Sequence, residues 1–239
     1  MAILMAARLV IFDCDGVLVD SEPIALACFR DALAGIGLDL TLDETTRRFL
    51  GRSAADCRRR IEDLTGRLLP KDFQERFHET LFDVLERELR PMVGIEQLLD
   101  GLDAPVAVAS SSAPDRLRHT LKVAGLLNRF EGRLFSATMV PNGKPAPDLF
   151  LHAATVMGFD PADCIVVEDT RPGVEAARNA GMPCIGFLGG GHHALTGSPL
   201  EADWLARTAE DLAAILRDLL DVRVAARPAA KIAEDAAPA

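Results

Sequence analysis

The sequence predicts an α/β protein, a doubly wound parallel sheet interrupted once by an all-helical insert. Three observations carry that expectation. Four short apolar runs rich in branched residues, "RLVIF" (8–12), "PVAVAS" (105–110), "CIVVE" (164–168) and "PCIGFL" (183–188), have the length and continuous hydrophobicity of strands buried on both faces. Helical patterns alternate with them, as parallel strands joined by crossover helices require. From about residue 22 to residue 90 the alternation stops, and only helical periodicity with charged faces is found.

The elements follow in order. After the first strand the insert reads "PIALACFRDALAGIG", "LDETTRRFLG", "SAADCRRRIEDLTG" and "KDFQERFHETLFDVLERELR". The Arg58–Arg60 run within it is the solvated face of a helix. Past the second strand, "SSAPDRLRHTLKVAG" predicts a helix with Ser112 as N-cap and Gly125 at its stop. "GRLFSA" (132–137) is a weaker fifth strand. "APDLFLHAATVMG" places Pro147 in a first turn and ends at Gly158, and "TRPGVEAARNAG" opens after Thr170 and closes at Gly181. The tail beyond residue 222 is rich in Ala and Pro with few large apolar groups, a composition expected to be disordered.

Bulk properties narrow the function class. A formal net charge of −10 argues against nucleic-acid and anionic-membrane partners, which call for a basic face. No apolar run approaches the roughly 20 residues of a membrane-spanning helix, and "MAILMAARLVIF" reads as the approach to a first strand rather than a secretion signal. Five cysteines with no paired spacing fit small buried hydrophobes in a reducing compartment, so the cytoplasm is the expected location. A monomer or small homo-oligomer is the expected state.

Ligands of an open parallel sheet bind outside the carboxyl ends of its strands, so the residues delivered there carry the chemistry. The first strand delivers Asp13 and Asp15, the second Ser110 and Ser111, and the fourth Glu168 and Asp169; Lys144 arrives in "NGKPAP" before a helix. Each residue alone has an ordinary use: an aspartate after a strand caps helices, serines begin them, and most lysines are solvated. Together they suit a phosphate ester and Mg²⁺. Crowded carboxylates need a hard cation, a lysine and hydroxyls suit phosphoryl oxygens, one aspartate can attack phosphorus and a second can transfer the proton.

The ordered set "DCDGVLVDSEP", "VASSS", "GKPAPD" and "VVEDTRPGVEAARNAG" closely resembles the haloacid dehalogenase superfamily, in its phosphatase-like branch with a helical cap. The resemblance covers about residues 8–220. It implies a Rossmann-like catalytic core from residues 1–21 and 91–222, a mobile cap from 22–90, and a tail from 223–239. It further implies that Asp13 is the nucleophile and Asp15 the acid/base, that Ser110, Ser111 and Lys144 hold the phosphoryl group, and that Asp13, Asp15, Glu168 and Asp169 serve Mg²⁺. Glu22, Pro23 and Arg52 are cap-side candidates for substrate contact. The implied activity is hydrolysis of a small phosphorylated metabolite, a sugar or sugar-acid phosphate, through an aspartyl-phosphate. Haloacid dehalogenases proper lack the second acid, so Asp15 argues against dehalogenation. The related β-phosphoglucomutases, the alternative, carry a histidine where this chain has Ala25 and a cap arginine where it has Ala54; both departures favour water as the acceptor.

Other signals are weaker. "GGGHHA" (189–194) matches a dinucleotide-binding pattern in letters, but Gly197 and Pro199 follow where a helix should open, so a glycine-rich loop near the site entrance is expected. His192 and His193 offer nitrogen where Mg²⁺ prefers oxygen. No P-loop and no serine-hydrolase elbow is present. A phosphoacceptor signalling domain would be about half this length, without the insert.

Overall fold

The computed structural model describes residues 9–50, 52, 54–190 and 200–221. The glycine-rich stretch from Gly191, with His192 and His193, and the tail beyond Asp221 lie outside the described residues. The first strand, β1, is Leu9–Phe12. Four helices follow: α1 (Glu22–Ala34), α2 (Leu42–Phe49), α3 (Ala54–Thr65) and α4 (Phe73–Glu88). The chain then alternates through α5 (Ile95–Gly101), β2 (Val106–Ser110), α6 (Pro114–Val123), α7 (Leu127–Phe130), β3 (Leu134–Ser136), α8 (Asp148–Met157), β4 (Cys164–Glu168), α9 (Arg171–Asn179), β5 (Cys184–Phe187), β6 (Trp204–Ala206) and α10 (Ala209–Asp221).

The six strands form one parallel sheet in the order β3-β2-β1-β4-β5-β6. The order reverses between β1 and β4, and a crevice for a ligand opens outside the carboxyl ends of the strands at such a point. The strands are continuously apolar because both faces are covered. Alternate residues of β1 divide between two apolar clusters. Val10 and Phe12 join Leu98, Leu117, Leu121, Leu212 and Leu216 on one face. Leu9 and Ile11 join Leu149, Phe150, Ala153, Val174 and Ala177 on the other.

The α1–α4 segment builds its own apolar centre from Leu33, Phe49, Ile61, Leu69 and Phe73. Phe29 is its hub, with its ring edge-on to Phe49 (5.3 Å), Phe73 (6.2 Å) and Phe77 (5.3 Å). The seam to the sheet layer runs along α4, whose Leu81 and Leu85, with Leu89 just beyond, pack with Leu18 and Met92. Residue 22 to residue 90 holds no strand among the described residues. None of their helices is long and apolar enough to cross a membrane.

Two local expectations change. The N-cap of α6 is Ala113 rather than Ser112, and Ala113 makes no side-chain cap bond; the Ser112 hydroxyl is directed elsewhere, as described below. The sheet also gains β6, which the sequence pattern does not reveal. Three residues are too few to show a period, and this edge is pinned instead by Asp203, whose main-chain N–H donates to the Cys184 carbonyl (3.0 Å) while its Oδ2 accepts the Cys184 N–H (3.0 Å).

The buried layer under the sheet sets a stability test. Leu149 is fully buried, so Leu149→Ala should cost about 2–5 kcal/mol from lost transfer energy and the cavity left behind. Leu68 is 87% exposed, and Leu68→Ala should change stability by less than about 0.5 kcal/mol. Urea unfolding midpoints at unchanged slope measure both.

Candidate functional site

The site is assembled at the carboxyl edge of β1, β2 and β4. The main-chain N–H of Asp13 donates to the Val167 carbonyl at 2.9 Å, continuing the β1–β4 ladder by one residue. The chain then turns sharply. Gly16 sits at φ +83°, which only glycine adopts without strain, and its N–H donates to the Val19 carbonyl (2.8 Å); the Leu18 and Val19 N–H groups donate to the Cys14 carbonyl (2.9 and 3.2 Å). This tight loop returns the chain beside its own strand and presents Asp15 next to Asp13.

Lys144 enters from the loop before α8. Its Nζ donates to Asp13 Oδ1 (2.5 Å), Glu168 Oε1 (2.6 Å) and the Ala109 carbonyl (3.0 Å), and lies 5.1 Å from the centre of the Phe150 ring. All three ammonium protons are thereby used. Burial alone would push this lysine down, but the charges of Asp13 and Glu168 outweigh it and hold the ammonium above its ordinary range.

Glu168 is fully buried. Its second oxygen, Oε2, accepts the main-chain N–H groups of Asp169 (3.0 Å) and Thr170 (2.9 Å) and the Thr170 hydroxyl (2.9 Å). Thr170 is the N-cap of α9, and its Oγ1 accepts the Gly173 N–H at 3.1 Å. Gly173 is required sterically: a Cβ there would lie 1.9 Å from the Glu168 carboxyl carbon. Glu168, expected among metal ligands, places one oxygen on Lys144 and the other on the α9 N-terminus, and so anchors both.

Asp15 is held by hydroxyls. Ser21 Oγ donates to its Oδ1 (2.5 Å), Ser112 Oγ to its Oδ2 (3.2 Å), and the Arg116 NH2 group lies 3.9 Å from Oδ1. Ser112 is itself fixed through its carbonyl, which accepts the Ser136 hydroxyl at 2.7 Å. Ser110 is buried at the end of β2, and its Oγ accepts the Ser112 N–H (3.1 Å); Ser111 is exposed in the bend between them. Glu22, in the first turn of α1, is near enough to Asp15 that burial first and then that charge push its carboxyl up, with Arg116 opposing. Arg52 lies outside this group. Its Nε donates to the Arg48 carbonyl (2.7 Å) on an exposed surface, so it caps the end of α2.

The cluster is short of positive charge. Asp13 is pushed up to about 7, by burial first and then by Glu168 and Asp15, against the opposing pull of Lys144. Asp169 is pushed well above the carboxylate range by burial, then by Glu168 and Asp13. Three carboxyls, on Asp13, Glu168 and Asp169, are buried around one ammonium. A hard divalent cation suits that deficit and that donor chemistry. Among the described residues no three His, Cys, Asp or Glu side chains by themselves form a metal-holding group.

Ser21, Arg116 and Gly173 were not singled out in the sequence, and Thr170 only as the residue before a helix, although Ser21 adjoins Glu22 and Thr170 adjoins Asp169. Their roles depend on distances between segments far apart in the chain, and neighbouring positions do not reveal these.

Two outcomes follow from this geometry. Gly173→Ala should destabilise the protein by about 1–3 kcal/mol, as overpacking does, and should loosen Lys144; denaturation midpoints check it. Asp13 also sets a pH dependence. With its carboxyl raised from 3.8 to about 7, the folded state holds a proton that the unfolded state releases across that window, so its stabilising contribution is lost as pH rises through about 7. In chelator-treated buffer, the melting temperature should therefore fall more steeply between about pH 4.5 and pH 7.5 for the wild type than for Asp13→Asn. Overlapping profiles would contradict the assignment.

Comparison with known proteins matches this arrangement to one family. A haloacid dehalogenase-like hydrolase model matches residues 7–181. The 6-phosphogluconate phosphatase of Escherichia coli is 30% identical over 185 residues, 77% of this chain and 84% of that protein. The phosphorylated carbohydrates phosphatase of Thermotoga maritima is 31% identical over 180 residues, 72% of this chain and 81% of that one. A HAD family hydrolase from Deinococcus radiodurans, solved with bound phosphate and sodium, superposes with a TM-score of 0.77 at 30% identity, covering 90% of this chain and 97% of that chain. With the acidic strand ends, the helical insert and the Lys144 cluster already in place, the match identifies this chain as a member of the haloacid dehalogenase-like hydrolases.

Proposed function

We propose that the protein is a metal-dependent phosphatase acting on small phosphorylated metabolites, with sugar and sugar-acid phosphates as the substrate class. The observation that carries this reading is the buried Asp13 carboxylate, gripped by Lys144 at 2.5 Å with Asp15 on the same loop. The names of the two phosphatase relatives support the substrate class.

In this reading an Asp13 oxygen attacks phosphorus, the bond from phosphorus to the ester oxygen breaks, and Asp15 gives its proton to the departing alcohol. Asp15 then takes a proton from water; that water attacks phosphorus, the Asp13–phosphorus bond breaks, and phosphate leaves. Lys144 holds the nucleophile in one orientation and lends positive charge to the incoming phosphoryl oxygens. Ser110 and Ser111, at the start of the β2–α6 turn, supply hydroxyl and main-chain donors. Asp13 and Asp169, with the Asp15 main-chain carbonyl, would hold Mg²⁺, and Glu168 stays with Lys144. Bound there, the cation supplies charge neutralisation between the carboxylates and the phosphoryl group. The helices from residue 22 to 90 act as a cap over the core of 1–21 and 91–222, a division supported by their separate apolar centre around Phe29. Both Asp15 hydroxyl partners fit a carboxyl that must exchange a proton while keeping its place.

Asp13→Asn should abolish release of phosphate from an aryl phosphate, by about 10⁴-fold or more as expected for loss of a nucleophile. A chelator should do the same reversibly, with added Mg²⁺ restoring turnover. Activity near wild type in the variant would remove Asp13 from its role, and activity indifferent to chelation would remove the metal.

A further inference from the structure

Arg116 stands in the first turn of α6, beside Asp15. Its NH2 group is 3.9 Å from Asp15 Oδ1, too long for a hydrogen bond, and both Asp15 oxygens already accept hydroxyls from Ser21 and Ser112. Its Nε is buried with no hydrogen-bond partner, while the side chain as a whole is 34% exposed. From the helical layer, Glu22 of α1 and His78 of α4 lie within its field: burial, then Arg116, holds the His78 imidazole below its usual range. The guanidinium therefore sits in the seam between α6 and the insert, reaches solvent at one end, and leaves donors unused. A half-buried polar group without an acceptor is costly, and a planar fork of this kind is matched by a carboxylate.

In the mechanism above, Asp15 protonates the departing alcohol, so a cation beside Asp15 faces the leaving group rather than the phosphoryl group. We infer that Arg116 is a specificity residue that binds a carboxylate on the leaving group, so that phosphorylated acids are preferred to the matching phosphorylated polyols. This rests on the phosphatase reading. No bond is made or broken at Arg116; it contributes binding only.

The test compares pairs that differ only in the carboxylate: 6-phosphogluconate with glucitol 6-phosphate, and 3-phosphoglycerate with glycerol 3-phosphate. The readout is the ratio of kcat/KM within each pair for the full chain, for Arg116→Met and for Arg116→Lys. In at least one pair the wild type should favour the acid. The ratio should fall about tenfold or more in the methionine variant, with the loss in KM for the acid, and by less in the lysine variant, which keeps the charge but loses the fork. If the methionine variant does not fold, the lysine variant alone must still lower the ratio. Ratios unchanged in both pairs, or equal losses on acid and polyol, overturn the inference. An aryl phosphate separates the two failures. If the wild type does not cleave it, the phosphatase reading falls and this inference with it; if cleavage depends on Asp13 and the ratios do not move, only the role of Arg116 falls.

Discussion

One ammonium group organises the carboxyl edge of this sheet. Lys144 Nζ binds Asp13 beyond β1, the Ala109 carbonyl in β2 and Glu168 at the end of β4, so three neighbouring strands are tied at the point where the strand order reverses. Such a buried ion pair is a constraint more than a gain. Its desolvation cost is comparable to its attraction, but losing one partner leaves the other charge stranded, which typically costs about 3–5 kcal/mol. The arrangement is consequently all or nothing. Glu168 must be present, it must be held by the α9 N-terminus, and Thr170 and Gly173 must allow that hold.

Around this fixed group the remaining parts divide by element. The sheet supplies rigidity through two apolar layers that share alternate residues of the same strands. The α1–α4 segment has its own aromatic centre and meets the sheet layer mainly along α4. Asp15 lies where the two parts join, with one hydroxyl from Ser21 just before α1 and one from Ser112 just before α6. The group that would move protons is therefore held by two hydroxyls, one of them next to the start of the helical insert, whereas the group that would attack phosphorus is held by Lys144.

Most of the fold was legible because its signals are local. Branched apolar runs, a helix stop at Gly158 in the left-handed region and the Thr170 cap are written in neighbouring residues. The acidic strand ends and Lys144 were legible because a parallel sheet sends every carboxyl end to the same edge. What was not legible is which oxygen accepts from which donor. Glu168 and Asp169 are adjacent, yet the first is bonded to Lys144 and Thr170 while the second is buried within the field of Glu168 and Asp13. Ser112 reads as a helix cap by residue type, but the cap falls one residue later and its hydroxyl crosses to Asp15. Arg52 reads as a cap-side candidate for substrate contact, and the structure adds that its Nε closes the end of α2 on the Arg48 carbonyl.

The missing side chain of Gly173 has a wider consequence. The space a methyl group would fill there is the space of the Glu168 carboxylate. Every other amino acid carries at least that methyl, so the position is closed to all of them while this network is intact. In a saturation library scored by turnover, residue 173 would rank with the acids of the site, although it has no functional group to offer a ligand.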